Sequence, residues 1–278
     1  MFFHVIQHFR PPGAGSHLCA STLFSAALAS QSDKVSTVLI VDGSKVSDPI
    51  FAERVRELGA NYLHAGRELT FAEGYNLGLE RSDQPWTILS ASDIYPSTDL
   101  YETFAGICSK FPATSIACII PRLNRVDLNL QASGRDNTGR AIALPLMTLN
   151  LNAFPTDYLR SIGGIPDNFS GNYNDVLLAR RFMEDGREIL LAPVDCLHFG
   201  SLTLKAGPSN VSFQRDLERF SDQFPELHRE GAFWHLNLAE FTRDRRLRIL
   251  STLARLLPKS RRWRNIERGM QRILRPGS

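Results

Sequence analysis

Residues 36–44 read S-T-V-L-I-V-D-G-S, an aliphatic and β-branched run that stops at an aspartate, a glycine and a serine. Such a run is typical of a strand that is buried on both faces, as in a parallel sheet. Other strand candidates alternate with helix candidates along the first half of the chain. The strand candidates are 2–7, 62–64, 86–89 and 115–121, and the helix candidates are 17–30, 49–58, 71–80 and 99–110. This alternation predicts an α/β fold with a mostly parallel sheet and helices on both faces.

The third helix candidate has a clear beginning. Thr70 can accept a hydrogen bond at the N-cap, and Glu73 stands three residues later, which is the capping-box pattern. The pattern changes at 122–150, where Asn, Asp and Gly indicate hairpins or loops rather than another α/β unit. The later candidates are helices at 156–162 and 176–184 and a strand at 189–192, with a helix-ending turn at Gly163-Gly164.

Size and composition exclude several classes of protein. The chain has 278 residues, of which 43% are hydrophobic and 22% charged, as in ordinary globular domains. No apolar run approaches the roughly 18–20 residues that cross a bilayer. The apolar N-terminus has no basic flank, so we do not interpret it as a secretion signal. Four cysteines without metal-ligand spacing predict reduced, partly buried thiols and a cytoplasmic location.

Charge is concentrated at the C-terminus. Residues 243–278 carry 12 Lys and Arg against 2 Asp and Glu, a net charge of +10, which leaves −7 for residues 1–242 of the total of +3. Apolar residues recur there every three or four positions between the arginines, which indicates amphipathic basic helices. We therefore expect two domains, an α/β domain at 1–205 and a basic helical extension at 206–278. The extension could bind an anionic membrane surface, pack on the body or bind nucleic acid, although no nucleic-acid-binding motif is present.

Six short motifs occur in a fixed order and together resemble one family. They are Asp42-Gly43-Ser44 and the segments 69–80, 89–96, 159–165, 173–178 and 196–201. Over residues 3–205 the chain resembles the inverting GT-A-fold glycosyltransferases of the large family two. It departs from their pattern at the opening strand, which reads Gln7-His8-Phe9-Arg10, at Ala91 in place of the first acid of the DxD motif, and at Asn174 in place of the Glu of "E-D".

The resemblance implies sugar transfer from a UDP- or dTDP-sugar to a hydroxyl of a glycan or lipid-linked acceptor, in cell-surface polysaccharide synthesis. It also implies a role for each matching position. Asp175 is the expected catalytic base, and Gly164 and Asn174 border the acceptor. Asp93 and His198 are the expected ligands of Mg²⁺ or Mn²⁺. The expected donor contacts at matching positions are Asp42, Gly43, Asn76 and Asp93. Arg10 and Arg67 match no motif of the family, but as cations they are candidates to contact the phosphates of the donor.

These roles agree with the chemistry that sugar transfer needs. A carboxylate at Asp42 accepts hydrogen bonds only, so it suits the N3–H of uracil or thymine, although guanine also has an N–H on that edge. A cation held by Asp93 would stabilise the charge of the departing diphosphate. Asp175 would remove the proton of the attacking hydroxyl from the opposite side, which inverts the anomeric carbon.

Other interpretations of the same residues stay open. Asp175 also suits an N-cap, His198 a structural role, Arg10 and Arg67 solvated surface charges, and Asn76 and Gly78 helix packing. The whole chain could be a related protein that binds a nucleotide or glycan without turnover. It could also be a nucleotidyltransferase, but residues 11–15, P-P-G-A-G, are a poor substitute for a basic phosphate loop.

Overall fold

A computed structural model describes residues 1–124, 131, 139–144, 146–170, 173–199 and 209–225, without the side chains of 209–214 and 217. The chain divides into two compact units, Met1–Phe224 and Pro225–Ser278. The basic segment 243–278 lies outside the described residues. So do residues 125–130, 132–138 and 145 of the segment 122–150, and the segment 200–208.

Up to Leu123 the strands and helices alternate as the sequence predicts, except that the two-residue strand Ile94–Tyr95 follows the strand Trp86–Ala91 directly. The strands are β1 (Phe2–His8), β2 (Val35–Asp42), β3 (Asn61–His64), β4 (Trp86–Ala91), β5 (Ile94–Tyr95), β6 (Ile116–Leu123), β7 (Ile142–Leu144), β8 (Leu151–Pro155) and β9 (Glu188–His198). The helices are α1 (His17–Ser30), α2 (Pro49–Glu57), α3 (Phe71–Arg81), α4 (Leu100–Lys110), α5 (Thr156–Ser161), α6 (Asn174–Glu184) and α7 (Ser209–Gln223).

One sheet of nine strands joins these elements. Its order is β3-β2-β1-β4-β8-β6-β9-β5, and β7 also pairs with β9. The pairs among β1, β2, β3 and β4 are parallel, and β6 pairs with β9 in parallel. The pairs β4–β8, β6–β8, β5–β9 and β7–β9 are antiparallel. The α/β fold class is confirmed, and the second half of the sheet is mixed because β8 enters it antiparallel.

Helices cover both faces of the central strand. On one face of β1, Gly78 of α3 lies so close to Val5 that a Cβ on the glycine would overlap the valine. On the other face, Nδ1 of His8 lies 2.7 Å from the hydroxyl of Thr22 on α1. Successive residues of a strand point to opposite faces, so α1 and α3 sandwich the strand between them. The predicted packing role of Gly78 is thus confirmed.

Local sequence signals account for several element boundaries. The capping box is present, because Thr70 accepts from Glu73 N–H at 3.1 Å while Glu73 accepts from Thr70 N–H at 2.8 Å. The turn at Gly163-Gly164 ends α5 with φ of 90° and 80°. Both values lie in the left-handed region that favours glycine.

The four cysteines are free thiols, as expected. Cys19, Cys118 and Cys196 are buried, and Cys108 is half-buried. Within the described part of the chain, we find no helix with the length and apolar character of a membrane span.

Candidate active site

The carboxyl ends of the parallel strands form one edge of the sheet. His8 pairs with Asp42, Asp42 pairs with His64, and Gln7 pairs with Ala91 across the sheet. Ligands of open α/β sheets bind beyond this edge, because the loops there leave a crevice. The residues that follow β1, β2 and β4 are therefore the first place to look for a site.

Asp42 ends β2, and the fold almost completely buries it, with 1% of its surface exposed. Its Oδ1 accepts from Ser44 N–H at 2.9 Å, and its Oδ2 accepts from the hydroxyl of Tyr62 at 2.5 Å. Burial and this bond to Asp42 raise the pKa of Tyr62 above its ordinary value, so the phenol keeps its proton. Each carboxylate oxygen has a second lone pair that these two bonds do not use.

Gly43 continues from Asp42 into a tight connection. Its N–H donates to the carbonyl of His8 at 2.9 Å, and its own carbonyl accepts from Leu69 N–H at 3.1 Å. A Cβ at this position would lie 3.1 Å from the Cβ of Leu69, so a larger side chain would push on the segment that precedes α3. The glycine therefore lets three loops meet at the strand ends.

The two predicted phosphate contacts differ in their surroundings. Nη1 of Arg10 lies 2.9 Å from Asp48, and both side chains are about a quarter to a third exposed. Burial opposes the charge of Arg10, but the partners Cys19 and Asp48 hold its pKa above the ordinary value. Arg67 is 60% exposed and pairs with Glu73 at 2.6 Å.

Asp93 and His198 lie next to each other, although 105 positions separate them in the sequence. The antiparallel pair β5–β9 places Ile94 opposite His198, and Phe199 N–H donates to the carbonyl of Asp93 at 3.0 Å. Nε2 of His198 lies 3.5 Å from Oδ2 of Asp93, and both side chains are buried. The two residues predicted as metal ligands thus form one pair at the end of β4.

This pair fits a divalent cation only in part. The described residues contain no group of three or more His, Cys, Asp or Glu placed to hold a metal ion. A carboxylate and an imidazole would supply two donors, so the remaining positions would fall to phosphate oxygens and water. Imidazole nitrogen suits Mn²⁺ better than Mg²⁺, which prefers oxygen ligands.

Asn76, a predicted donor contact, holds the glycine turn after α5. Its amide donates to the carbonyl of Ile165 at 2.9 Å, and its Oδ1 accepts from Ile165 N–H at 2.7 Å. Gly164 adopts a φ of 80°, and a Cβ there would overlap Oδ1 of Asn76. Both residues therefore fix how α3 meets the turn, which is the packing interpretation of Asn76.

Asn174 and Asp175 begin α6, two residues earlier than the sequence suggested. Asn174 is buried and bridges back to Phe169, donating to its carbonyl at 2.9 Å and accepting from its N–H at 3.2 Å. Asp175 is half-buried in the first turn, where its Oδ1 accepts from Val176 N–H at 2.9 Å. The N-cap position belongs to Tyr173, so Asp175 is not the N-cap that the alternative interpretation required.

Sequence reasoning missed two residues that shape these regions, Tyr62 and Asp216. The sequence predicts only that Tyr62 belongs to a short strand. The register of β3 against β2 places its hydroxyl within hydrogen-bonding distance of Asp42. Asp216 lies on α7, is fully buried, and accepts from Ser170 N–H at 3.1 Å. No local sequence signal marks either contact, because both depend on elements that meet only in the fold.

Comparison with known proteins supports the fold. No protein-family model matches the chain, and no curated protein matches it in sequence. Among solved structures, it is similar to the mannosyltransferase PcManGT from Pyrobaculum calidifontis in complex with GDP-Man and Mn²⁺. The TM-score is 0.58 at 16% identity, and the match covers 98% of this chain and 84% of that chain.

Two further structures extend this likeness. GalNAc-T7 with UDP, GalNAc and Mn²⁺ gives a TM-score of 0.56 at 10% identity, over 82% of this chain and 50% of that chain. S. aureus TarS 1–349 in complex with UDP-GlcNAc gives 0.53 at 13% identity, over 86% of this chain and 71% of that chain. At these identities the likeness concerns the fold, and the class of fold is GT-A.

Proposed function

We propose that the chain is an inverting glycosyltransferase that moves a sugar from a UDP- or dTDP-sugar to a hydroxyl of a glycan or lipid-linked acceptor. The observation that carries the proposal is the buried Asp93–His198 pair at the carboxyl end of β4, inside a GT-A fold. The solved structures that share this fold were determined with GDP-Man, UDP or UDP-GlcNAc, and two of them with Mn²⁺.

The donor would lie along the edge formed by β1, β2 and β4. Asp42 would recognise the base through its remaining lone pairs, since Tyr62 and Ser44 already fix the carboxylate in place. Arg10 would approach the phosphates from the loop after β1, beside Ser44, whose hydroxyl accepts from Arg10 N–H at 2.9 Å. Base recognition and phosphate binding would therefore come from neighbouring loops.

The diphosphate is the leaving group, and its negative charge grows as the glycosidic bond breaks. When bound, Mn²⁺ or Mg²⁺ would neutralise part of that charge. Asp93 and His198, which are both buried, would hold it with one carboxylate and one imidazole. Replacing one acid of the family motif by Ala91 leaves Asp93 as the carboxylate of this pair.

Asp175 would act as the general base. A carboxylate opposite the leaving group removes the proton of the acceptor hydroxyl as that oxygen attacks the anomeric carbon, and nucleoside diphosphate departs from the other side. General base catalysis of this kind contributes about 10²–10⁴-fold in rate. The attack from one side and departure from the other give an inverted product.

The place of the reaction is part of the proposal. We propose a cytoplasmic protein whose segment 243–276 lies on the anionic inner face of a membrane, where a lipid-linked acceptor of a polysaccharide pathway would be presented. The interleaved arginines and apolar residues support this. Comparing the full chain with one shortened at residue 242 on anionic and neutral liposomes tests it, and equal binding of both to anionic liposomes would contradict it.

The main experiment incubates the full chain with UDP-, dTDP- and GDP-sugars and candidate acceptors, with Mn²⁺, Mg²⁺ or a chelator. We expect release of UDP or dTDP, dependence on Mn²⁺ and an inverted anomeric configuration by NMR. Release of pyrophosphate instead would identify a nucleotidyltransferase. Binding of nucleotide, seen as a thermal shift, without turnover of any donor would identify a binding protein.

A further inference from the structure

The residue at the N-cap of α6 has an unusual backbone. Tyr173 adopts φ 67° and ψ −9°, and it is the one non-glycine residue with positive φ in the part of the chain that the structure describes. This conformation is costly for a bulky side chain and persists only when the surroundings enforce it. Tyr173 precedes Asn174 and Asp175, so it sets the direction in which α6 begins.

An aromatic stack from α7 enforces this conformation. The ring of Tyr173 stacks on Phe220 with 4.6 Å between centroids and 17° between planes. Phe220 is buried and also contacts Phe169 and Phe224, with centroids 5.7 Å away in both cases. A side chain held between rings cannot rotate freely, so the stack fixes the tyrosine and the backbone that carries it.

A buried carboxylate of α7 holds the same segment at its other end. Asp216 accepts from both Ser170 N–H at 3.1 Å and the Ser170 hydroxyl at 2.8 Å. Within the same segment, the side chain of Asn174 forms two hydrogen bonds with the backbone of Phe169. Residues 169, 170, 173 and 174 are therefore held from α7 at two points, one apolar and one polar.

We propose that α7 positions the catalytic base, with Phe220, Asp216 and Tyr173 as positioning residues for Asp175. The inference rests on the proposed function, in which Asp175 removes the acceptor proton. A general base must lie within hydrogen-bonding distance of that proton, and a displacement of about 1 Å can cost about 10²-fold in rate. The helix at 209–223, which the sequence places in a separate extension, is on this account part of the active site's framework.

The first test removes the stack between Tyr173 and Phe220. It does not change the carboxyl ends of β1, β2 and β4, where the donor is proposed to bind. Phe220→Ala in the full chain should lower kcat about tenfold or more, while the KM for the donor stays within about twofold, because β1, β2 and β4 bind the donor. Hydrogen exchange of the segment 173–177 should quicken in the variant. Asp222→Ala, an exposed change on the same helix, is the matched control and should match the unaltered chain in every measurement.

Conservative variants separate positioning from stability. Phe220→Tyr keeps a ring for Tyr173 and should recover most of kcat, and Asp216→Asn keeps an acceptor for Ser170 where Asp216→Leu does not. In Phe220→Ala the pH dependence of kcat should also shift, because the base changes its surroundings. Loss of folded protein alone would lower kcat in proportion to the folded fraction and leave the pH profile unchanged.

Three results of these experiments can be distinguished. If the unaltered chain transfers sugar and Phe220→Ala keeps its kcat and its exchange rates, the positioning role is wrong and the proposed function stands. If Phe220→Ala changes kcat only through the folded fraction, with the same pH profile, the helix is merely structural. If the unaltered chain transfers no sugar from any donor, both the function and the positioning role fall.

Discussion

Asp42 and Asp175 occupy regions that are built in different ways. Asp42 is held by Ser44 and Tyr62, which lie 2 and 20 positions away and belong to the same or the adjacent strand unit. The segment before Asp175 is held by α7, and its bond between Ser170 and Asp216 spans 46 positions. The surroundings of Asp42 are thus built by neighbouring β-α units, whereas the segment before Asp175 depends on α7, a helix from a later part of the chain.

This difference indicates which substitutions should weaken donor binding and which should slow turnover. Contacts between adjacent parallel strands survive most changes elsewhere, because the sheet register fixes them. Contacts made by a later helix can loosen without unfolding the sheet, since local openings cost less than global unfolding. We therefore expect changes near Asp42 to alter donor binding, and changes near Asp175 to alter turnover.

The largest expected effect follows substitution of the base. Asp175→Asn should lower the transfer rate about 10²–10⁴-fold, because the amide cannot take the proton of the acceptor hydroxyl. The donor dissociation constant should stay the same in titration calorimetry. Asp157→Asn, an exposed change in the first turn of α5, is the matched control. Undiminished transfer by Asp175→Asn would assign the base to another residue.

The Asp93–His198 pair should control the response to metal. Asp93→Asn and His198→Ala should each raise the Mn²⁺ concentration for half-maximal activity by at least about 10–100-fold. Each removes one of two proposed protein ligands, and loss of a partner that only supports a ligand already has an effect of this size. Activity titrated with Mn²⁺ measures this, and Asp83→Asn on an exposed loop serves as the control. An unchanged Mn²⁺ requirement in both variants would place the cation elsewhere.

The next effect concerns the stability of the fold at acidic pH. Burial lowers the pKa of His4 to about 3. Among the described residues its Nε2 has no hydrogen-bond partner, while Nδ1 lies 2.9 Å from the hydroxyl of Tyr101. Only the unfolded chain gains this proton between about pH 6.5 and 3, so stability falls as the pH falls through that range, by at most about 1.4 kcal/mol per pH unit from this group.

Removing His4 together with its partner tests this. His4→Leu/Tyr101→Phe leaves neither polar group behind, so stability at pH 8 should change little and the acid slope should become shallower. Urea unfolding between pH 4.5 and 8 measures the slope. Tyr101→Phe alone keeps the histidine and should keep the slope. A double variant as acid-sensitive as the unaltered chain would show that other groups account for it.

The smallest expected effect is a difference in stability between alanine substitutions at two glycines inside helices, Gly78 in α3 and Gly106 in α4. Gly78→Ala should destabilise the fold by about 1–3 kcal/mol, because the new methyl overlaps Val5 of β1. At Gly106 on α4 a new methyl would meet no atom of the described residues within 4 Å, so Gly106→Ala should stabilise the fold by up to about 1 kcal/mol, since alanine favours a helix. Urea midpoints measure both, and a shift in the same direction for the two variants would contradict the packing of α3 on β1.

The sequence predicted the first half of the fold well, because its signals are local. The boundaries of α1 agree residue for residue, and the capping box at Thr70 and Glu73 forms as expected. It missed β8, whose residues 151–155 read L-N-A-F-P and do not look like a strand with an asparagine and a proline in five positions. Tertiary packing buries all five residues between β4 and β6, and that burial makes the strand.

The candidate site divides in the same way. Motif order marked Asp42, Asp93, Asp175 and His198, and the fold brings Asp93 and His198 into one pair. Packing was one open interpretation of Asn76, but its partner Ile165 lies 89 positions away, and Asp216 binds Ser170 at a separation of 46 positions, so neither contact could be predicted from the sequence. Asn174 binds Phe169, five positions earlier, in a loop whose conformation no local pattern fixes.

By itself, the sequence determined the α/β alternation, the main helix starts and the aspartates that follow the strands, because hydrophobic period and capping act within a few residues of each other. Only the tertiary structure decided which polar groups meet: Asp93 with His198, Tyr62 with Asp42, and α7 with the beginning of α6. Such contacts join distant segments, and their geometry comes from sheet register and close packing rather than from any local pattern.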